Sequence, residues 1–115
     1  MRVLVSGSRT WTDRNAIIDA LHDLKAEHGD LIIVHGGARG ADQLAEQAAA
    51  TLGIGTEVWF ADWSKGRGAG YARNAEMVKS GADLCLAFIR DNSRGASHCA
   101  SLAEKAGIPV RRFTS

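Results

Sequence analysis

Short runs of β-branched and apolar residues alternate along this chain with longer runs of helical periodicity, and that alternation limits its fold more than any other feature. Arg2–Ser6 reads as a strand ended by Gly7. Thr12 is placed to cap a helix from Asp13 to about His28, whose Ala16, Ile17, Ala20, Leu21 and Leu24 form one stripe before Gly29 stops it. Leu31–Val34 is a continuous apolar strand, the pattern of a sheet covered on both faces. A helix after Gly40 carries Ala41, Leu44, Ala45, Ala48 and Leu52 on one side and ends at Gly53. Gly55–Ala61 reads as a third strand and 69–79 as a third helix. Asp83–Ile89 follows as the fourth strand. The fourth helix, Ala96–Ala106, turns Cys99, Ala100, Ala103 and Ala106 inward, and Pro109–Phe113 suits an edge strand. Such alternation calls for an α/β, Rossmann-like three-layer domain with a five-stranded, mainly parallel sheet, and the expected strand order is 3-2-1-4-5.

At 115 residues the chain has room for one core, so 1–115 is expected to be a single domain. Hydrophobic residues at 45% and charged residues at 23% are those of a globular protein rather than a disordered one. No apolar run approaches the roughly 18 residues that span a bilayer, so no membrane partner is expected. The segment after Met1 enters a strand at once and lacks the features of a signal peptide, which leads to a cytoplasmic expectation. Cys85 and Cys99 lack paired zinc spacing and read as buried thiols; neither a metal nor a cofactor is expected. A formal charge of +1 gives no global case for nucleic acid.

The distribution of charge is more informative than its sum. In an open parallel sheet, ligands bind beyond the carboxyl ends of the strands, where the strand order reverses. Four loops belong to that edge: 7–12, 35–40, 62–68 and 90–95. Of the fourteen Lys and Arg residues, Arg9, Arg14, Arg39, Lys65, Arg67, Arg73, Arg90 and Arg94 lie in or beside them. Glycines crowd the same loops. Glycine lets backbone N–H groups come close to an anion, a helix N-terminus adds donors, and arginine offers a fork matched to phosphate. The expected ligand is therefore anionic and phosphorylated.

The densest motif is His35-Gly36-Gly37-Ala38-Arg39-Gly40-Ala41-Asp42, between a strand and a helix. It lacks the Lys and Ser/Thr of a Walker A loop and the G-x-G-x-x-G spacing of a dinucleotide fingerprint. Gly7, Ser8 and Arg9 follow the first strand, where a phosphate or base has room. Trp11 and Trp63 stand in edge loops and are candidates to stack on a base, whereas Trp59, within a strand, reads as core. Arg73 and Asn74 face the same edge from the third helix, and Gly95 completes it from the last loop. His22, His28 and His98 read as surface residues. Glu46, one turn beyond Asp42, is more consistent with a solvated helix face than with a carboxylate pair.

In this order, Val5–Arg9, His35–Asp42, Ala61–Trp63, Gly70–Met77, and Ala87-Phe88 followed by Gly95 resemble the SLOG superfamily, in particular its small stand-alone domains frequent in actinobacteria and their phages. The resemblance spans nearly the whole chain. It implies a Rossmann-like sheet, a nucleotide-derived ligand, and a homo-oligomer, a dimer first. Relatives include the lonely-guy phosphoribohydrolases, ligand sensors for cyclic ADP-ribose-type signals, and the DNA-processing protein DprA. The hydrolases carry Gly-Gly-x-Gly-Thr-x-x-Glu with a catalytic Glu. Matching the last glycine to Gly40 puts Ala41 at the Thr and Leu44 at the Glu. Asp42 or Glu46, neither of them at the matching position, then stands in for the Glu, Asp42 first, and Arg73 for the hydrolases' catalytic Arg.

Three functions fit these residues. The leading one is binding of an AMP-, ADP-ribose- or cyclic ADP-ribose-type ligand by a sensor or sequestering domain. The second is cleavage of an N-glycosidic bond, with Asp42 stabilising positive charge and Arg39 with the turn amides holding phosphate. The third, weakened by the near-neutral charge, is a single-stranded nucleic-acid module using Trp11 and Trp63.

Overall fold

A computed structural model describes residues 1–115. Its elements are β1 (Arg2–Gly7), α1 (Arg14–His28), β2 (Ile32–His35), α2 (Ala41–Leu52), β3 (Gly55–Val58), α3 (Ala69–Lys79), β4 (Leu84–Ile89), α4 (Arg94–Lys105) and β5 (Val110–Thr114). A one-turn 3-10 helix, Trp63–Lys65, sits between β3 and α3. All strand pairs are parallel and the order is β3-β2-β1-β4-β5, as the alternation predicts.

The handedness of the crossovers explains the two helical layers. From β1 the chain steps outward to β2 and β3, then returns to the other side of β1 for β4 and β5. Right-handed connections made in opposite directions place their helices on opposite faces of the sheet. Side chains of β1 alternate accordingly. Val3 and Val5 join Ile17, Leu21 and Leu24 of α1 and the alanines of α2 in one core cluster. Leu4 joins Met77 and Val78 of α3 and Cys99 and Ala103 of α4 in another. Both faces of β1 and β4 are thus covered, which is why Val3–Val5 of β1 and the whole of β4 are apolar without interruption.

Several boundaries differ from the periodicity reading. Asp13, not Thr12, caps α1, its carboxylate accepting from the Ala16 N–H at 3.1 Å, because Ala16 is the third helical residue after Asp13. β3 ends at Val58, although the Trp59 N–H still reaches the His35 carbonyl at 2.8 Å. The chain then turns out of the sheet and leaves Phe60 78% exposed. α4 begins at Arg94, so Arg94 and Gly95 form its first turn, and Ala96 rather than Ala106 faces the core. Cys85 and Cys99 are free and buried, and burial pushes the Cys85 thiol up to about 12, which makes it unreactive. No helix is long and apolar enough to cross a membrane.

Candidate functional site

Strand order reverses between β1 and β4, and the largest concavity over that reversal is a cleft of about 380 Å³. That lies within the roughly 300–1,000 Å³ of small-molecule sites. Its floor is the end of β1, Val5 to Gly7. Ala38 and Asp42 form one wall, and Tyr71, Arg73 and Asn74 of α3 form another. Arg9, Trp63 and Arg67 stand over the opening, while Ser93, Gly95 and Ala96 close the β4 side. A second lobe of about 280 Å³ adjoins it, lined by Gly36 to Arg39 with Phe60 and Ala61, and it shares Arg9, Ala38, Trp63 and Arg73 with the first.

The glycine-rich turn is held rigid from within. Asp42 is 5% exposed, and its Oδ2 accepts from the Gly36 N–H at 3.1 Å and the Ala38 N–H at 3.2 Å. The Gly37 N–H donates to His35 Nδ1 at 3.0 Å. That bond assigns the neutral proton of His35 to Nε2, which is buried without a partner and lies 3.6 Å from a Glu46 oxygen. Three of the amides expected to cradle an anion are therefore already occupied. Burial pushes the Asp42 carboxyl above the ordinary carboxylate range, while His35, the two amides and the Arg73 charge pull the other way. Its Oδ1 has no hydrogen-bond partner.

Gly7 and Gly40 are required by space. A Cβ on Gly7 would overlap that of Ala41 and crowd the Phe88 carbonyl oxygen at 2.8 Å. Gly40 has φ +76, and a Cβ there would overlap the Ser8 carbonyl and lie 2.5 Å from the Arg9 carbonyl. Ser8 is likewise spent on the fold. Its buried hydroxyl accepts from the Arg90 N–H at 2.7 Å and donates to the Arg90 carbonyl at 3.1 Å, tying the first loop to the last.

Arg73 is the best-oriented cation. Its Nη1 donates to the carbonyls of Gly36 at 2.7 Å and Trp59 at 3.1 Å, and its Nε donates to Asn74 Oδ1 at 3.0 Å. Nη2 remains free, so the guanidinium is fixed yet keeps donors for a ligand. Arg9 lies over the Trp63 ring, 5.5 Å from its centroid.

Of the residues singled out in the sequence, Gly7, Arg9, Ala38, Asp42, Trp63, Arg73, Asn74 and Gly95 line the main lobe. Gly36, Gly37 and Arg39 line the second. Ser8, His35 and Gly40 lie behind these walls and shape them. Trp11 does not reach the cleft: it is 3% exposed, packs edge-on against Phe88 at 5.4 Å, and donates its indole N–H to the Asp13 carbonyl. Glu46 is half-buried, accepts from the Thr56 hydroxyl, and forms no pair with Asp42. His98 is half-buried against Tyr71 rather than at the surface. Leu44, at the hydrolases' Glu position, packs on the core. Arg67 and Tyr71 were visible in the basic loop and the third-helix motif. Phe60 was hidden by its assignment to a strand.

An all-parallel 3-2-1-4-5 sheet with a cleft at its switch point is a Rossmann-like domain. Within that class, residues 1–66 match the model of the YspA, cpYpsA-related SLOG family, and the chain belongs to it. Membership places it among domains related to nucleotide binding. The matched segment contains Arg9, the 35–42 turn and Trp63, whereas Arg67, Tyr71, Arg73 and Asn74 lie beyond it. The chain is also 48% identical over 119 residues to the Gene 61 protein of Mycobacterium phage D29, with 97% of this chain and 95% of that protein covered. No solved structure matches the chain.

Proposed function

We propose that the chain binds a phosphorylated nucleotide or nucleotide-derived molecule of the AMP, ADP-ribose or cyclic ADP-ribose class in this cleft, as a sensor or sequestering domain. The carrying observation is an unbalanced set of cations. Arg9, Arg39, Arg67 and Arg73 line the two lobes without an ion pair, and the sole carboxylate of the lining, Asp42, is turned into its own loop. An anionic ligand supplies the missing charge, and the exposed faces of Trp63 and Tyr71 offer stacking surfaces for a base.

Titration calorimetry of the full chain with AMP, ADP-ribose and cyclic ADP-ribose tests this reading. Saturable binding that weakens with salt supports it, and no binding to any of the three overturns it. Asp42 acts here as the clamp of the wall, not as a catalyst, so AMP incubated with the protein stays intact. Release of adenine, abolished in Asp42→Asn, would replace binding by N-glycosidic hydrolysis.

A further inference from the structure

We propose that the peptide between Gly36 and Gly37 is a proton-driven switch in the wall of the cleft. When His35 takes up a proton from solvent, the peptide turns over: its carbonyl passes from Arg73 to His35, and its N–H passes from His35 to the cleft. This inference concerns the state of the wall rather than the identity of what binds, and it stands apart from the nucleotide reading above.

One peptide plane carries both groups, and they point to opposite layers of the domain. The Gly36 carbonyl accepts from Arg73 Nη1 at 2.7 Å, and the Gly37 N–H donates to His35 Nδ1 at 3.0 Å. The second bond exists only while Nδ1 is an acceptor, that is, while the ring is neutral. A proton on Nδ1 sets two donors against each other at a residue only 2% exposed, where an unpaired donor is costly. Turning the peptide over removes the conflict, because the Gly36 carbonyl then accepts from the new Nδ1–H. The other ring nitrogen is already prepared: Nε2 is buried without a hydrogen-bond partner and lies 3.6 Å from a Glu46 oxygen. The protonated ring is thus partnered at both nitrogens, whereas the neutral ring is bonded at one.

The backbone allows the movement. Turning over one peptide changes ψ of the residue before it and φ of the residue after it, and here both residues are glycine. Gly37 has φ +69, so the movement carries it out of the left-handed region. The chain is pinned on either side, since the Gly36 and Ala38 N–H groups both donate to Asp42 Oδ2, and the motion stays within the one peptide. The charges around His35 act in two directions. Glu46 and Asp42 on α2 favour its proton, whereas Arg73 on α3 and Arg9 and Arg39 at the second lobe oppose it; its β3 neighbour is the uncharged Val58. After the movement the Gly37 N–H and the Arg73 guanidinium face each other as donors, a pair that an anion between them satisfies. Anion and proton therefore reinforce each other's binding.

The test follows the Gly37 amide proton of the full chain by NMR from about pH 8 to about pH 5, the range in which an imidazole changes charge. Its nuclear Overhauser contact should be to the His35 ring at the upper end and to the Arg73 side chain at the lower end. His35→Asn keeps an acceptor where Nδ1 stands and takes up no proton, so it should hold the first contact throughout. Glu46→Gln, at a half-buried helix position, should move the transition to lower pH, and it decides the matter if His35→Asn does not fold. Sulfate, a dianion over the whole range, probes the coupling by calorimetry. It should bind wild type at least about fivefold more tightly at the lower pH, and His35→Asn with a ratio below about twofold. An unchanging Gly37 contact, a transition that persists in His35→Asn, or one that Glu46→Gln does not move overturns the switch. A flip without a gain in sulfate affinity overturns the coupling to anions. None of these results bears on whether a nucleotide binds.

Discussion

The 35–42 turn and the 62–68 loop are both rich in glycine and arginine and face each other across the cleft, yet their glycines answer different needs. In the turn, Gly40 touches backbone of the first loop, Gly36 admits the Arg73 guanidinium, and three amides are held by Asp42 and His35. In the loop, Gly66 and Gly68 have no neighbouring atom within 4 Å of where a Cβ would stand. One is a packed wall and the other an open rim. Glycine density alone therefore does not identify a phosphate cradle. Here the amides of the turn are held within the fold, and the unpaired cations of the lining, Arg9, Arg39, Arg67 and Arg73, come from the first loop, the turn, the rim and α3.

The contrast is sharpest in substitutions, taken from the largest effect downward. Gly40→Ala combines a positive φ with overlap against carbonyls that cannot yield, and should cost about 3 kcal/mol or more, read as a lower denaturant midpoint. A cost below about 1 kcal/mol would show that the turn is as pliant as the rim. Asp42→Ala leaves the Gly36 and Ala38 amides without acceptors and should cost about 2 kcal/mol in the same measurement. Trp63→Ala removes an exposed ring, so its effect should fall on ligand affinity, by about 1–2 kcal/mol, with thermal stability nearly unchanged. A large drop in melting temperature would instead make Trp63 a structural lid.

Smaller effects separate the regions further. A folded-state pKa raised by burial, as at Asp42, contributes stability that is complete below the unfolded value, about 3.9, and is lost as pH rises through the folded value. The stability of wild type relative to Asp42→Asn should therefore decline as pH rises from about 4. Parallel pH curves for the two chains would show that the loop amides fully offset the burial. Gly68→Ala should be the mildest change, stabilising by about 0.5 kcal/mol, since its φ of −77 and ψ of −2 already suit alanine and its surroundings are empty.

The layers of the fold were legible because they depend on local periodicity. Mainly apolar strands at 2–7, 32–35 and 84–89, separated by helical stripes, admit few arrangements once crossovers must be right-handed, and the expected order 3-2-1-4-5 is the one the structure has. The site was legible in outline. The loops at the carboxyl edge meet around the cleft, and most residues named from them line its two lobes. The individual roles were less legible. Trp11 and Trp63 both read as loop aromatics, but Trp11 lies under β4 against Phe88 while Trp63 stands in solvent over the cleft. Asp42 read as a residue of the ligand motif and a stand-in catalyst, but not as the acceptor that its buried carboxylate is for the Gly36 and Ala38 amides of its own turn.

The sequence by itself determined a parallel three-layer domain with basic, glycine-rich loops gathered at one edge, because side-chain periodicity and chain handedness act within each βα unit. Only the tertiary structure decided which glycines bear contacts, which amides are spent and which arginines are free. Those properties belong to meetings between distant segments: Gly40 against the Ser8 and Arg9 carbonyls, Arg73 on Gly36, Ser8 on Arg90. They make the His35–Asp42 motif a fixed wall of the cleft, its Gly36, Gly37 and Ala38 amides already bonded within the fold and Arg39 left without an ion pair.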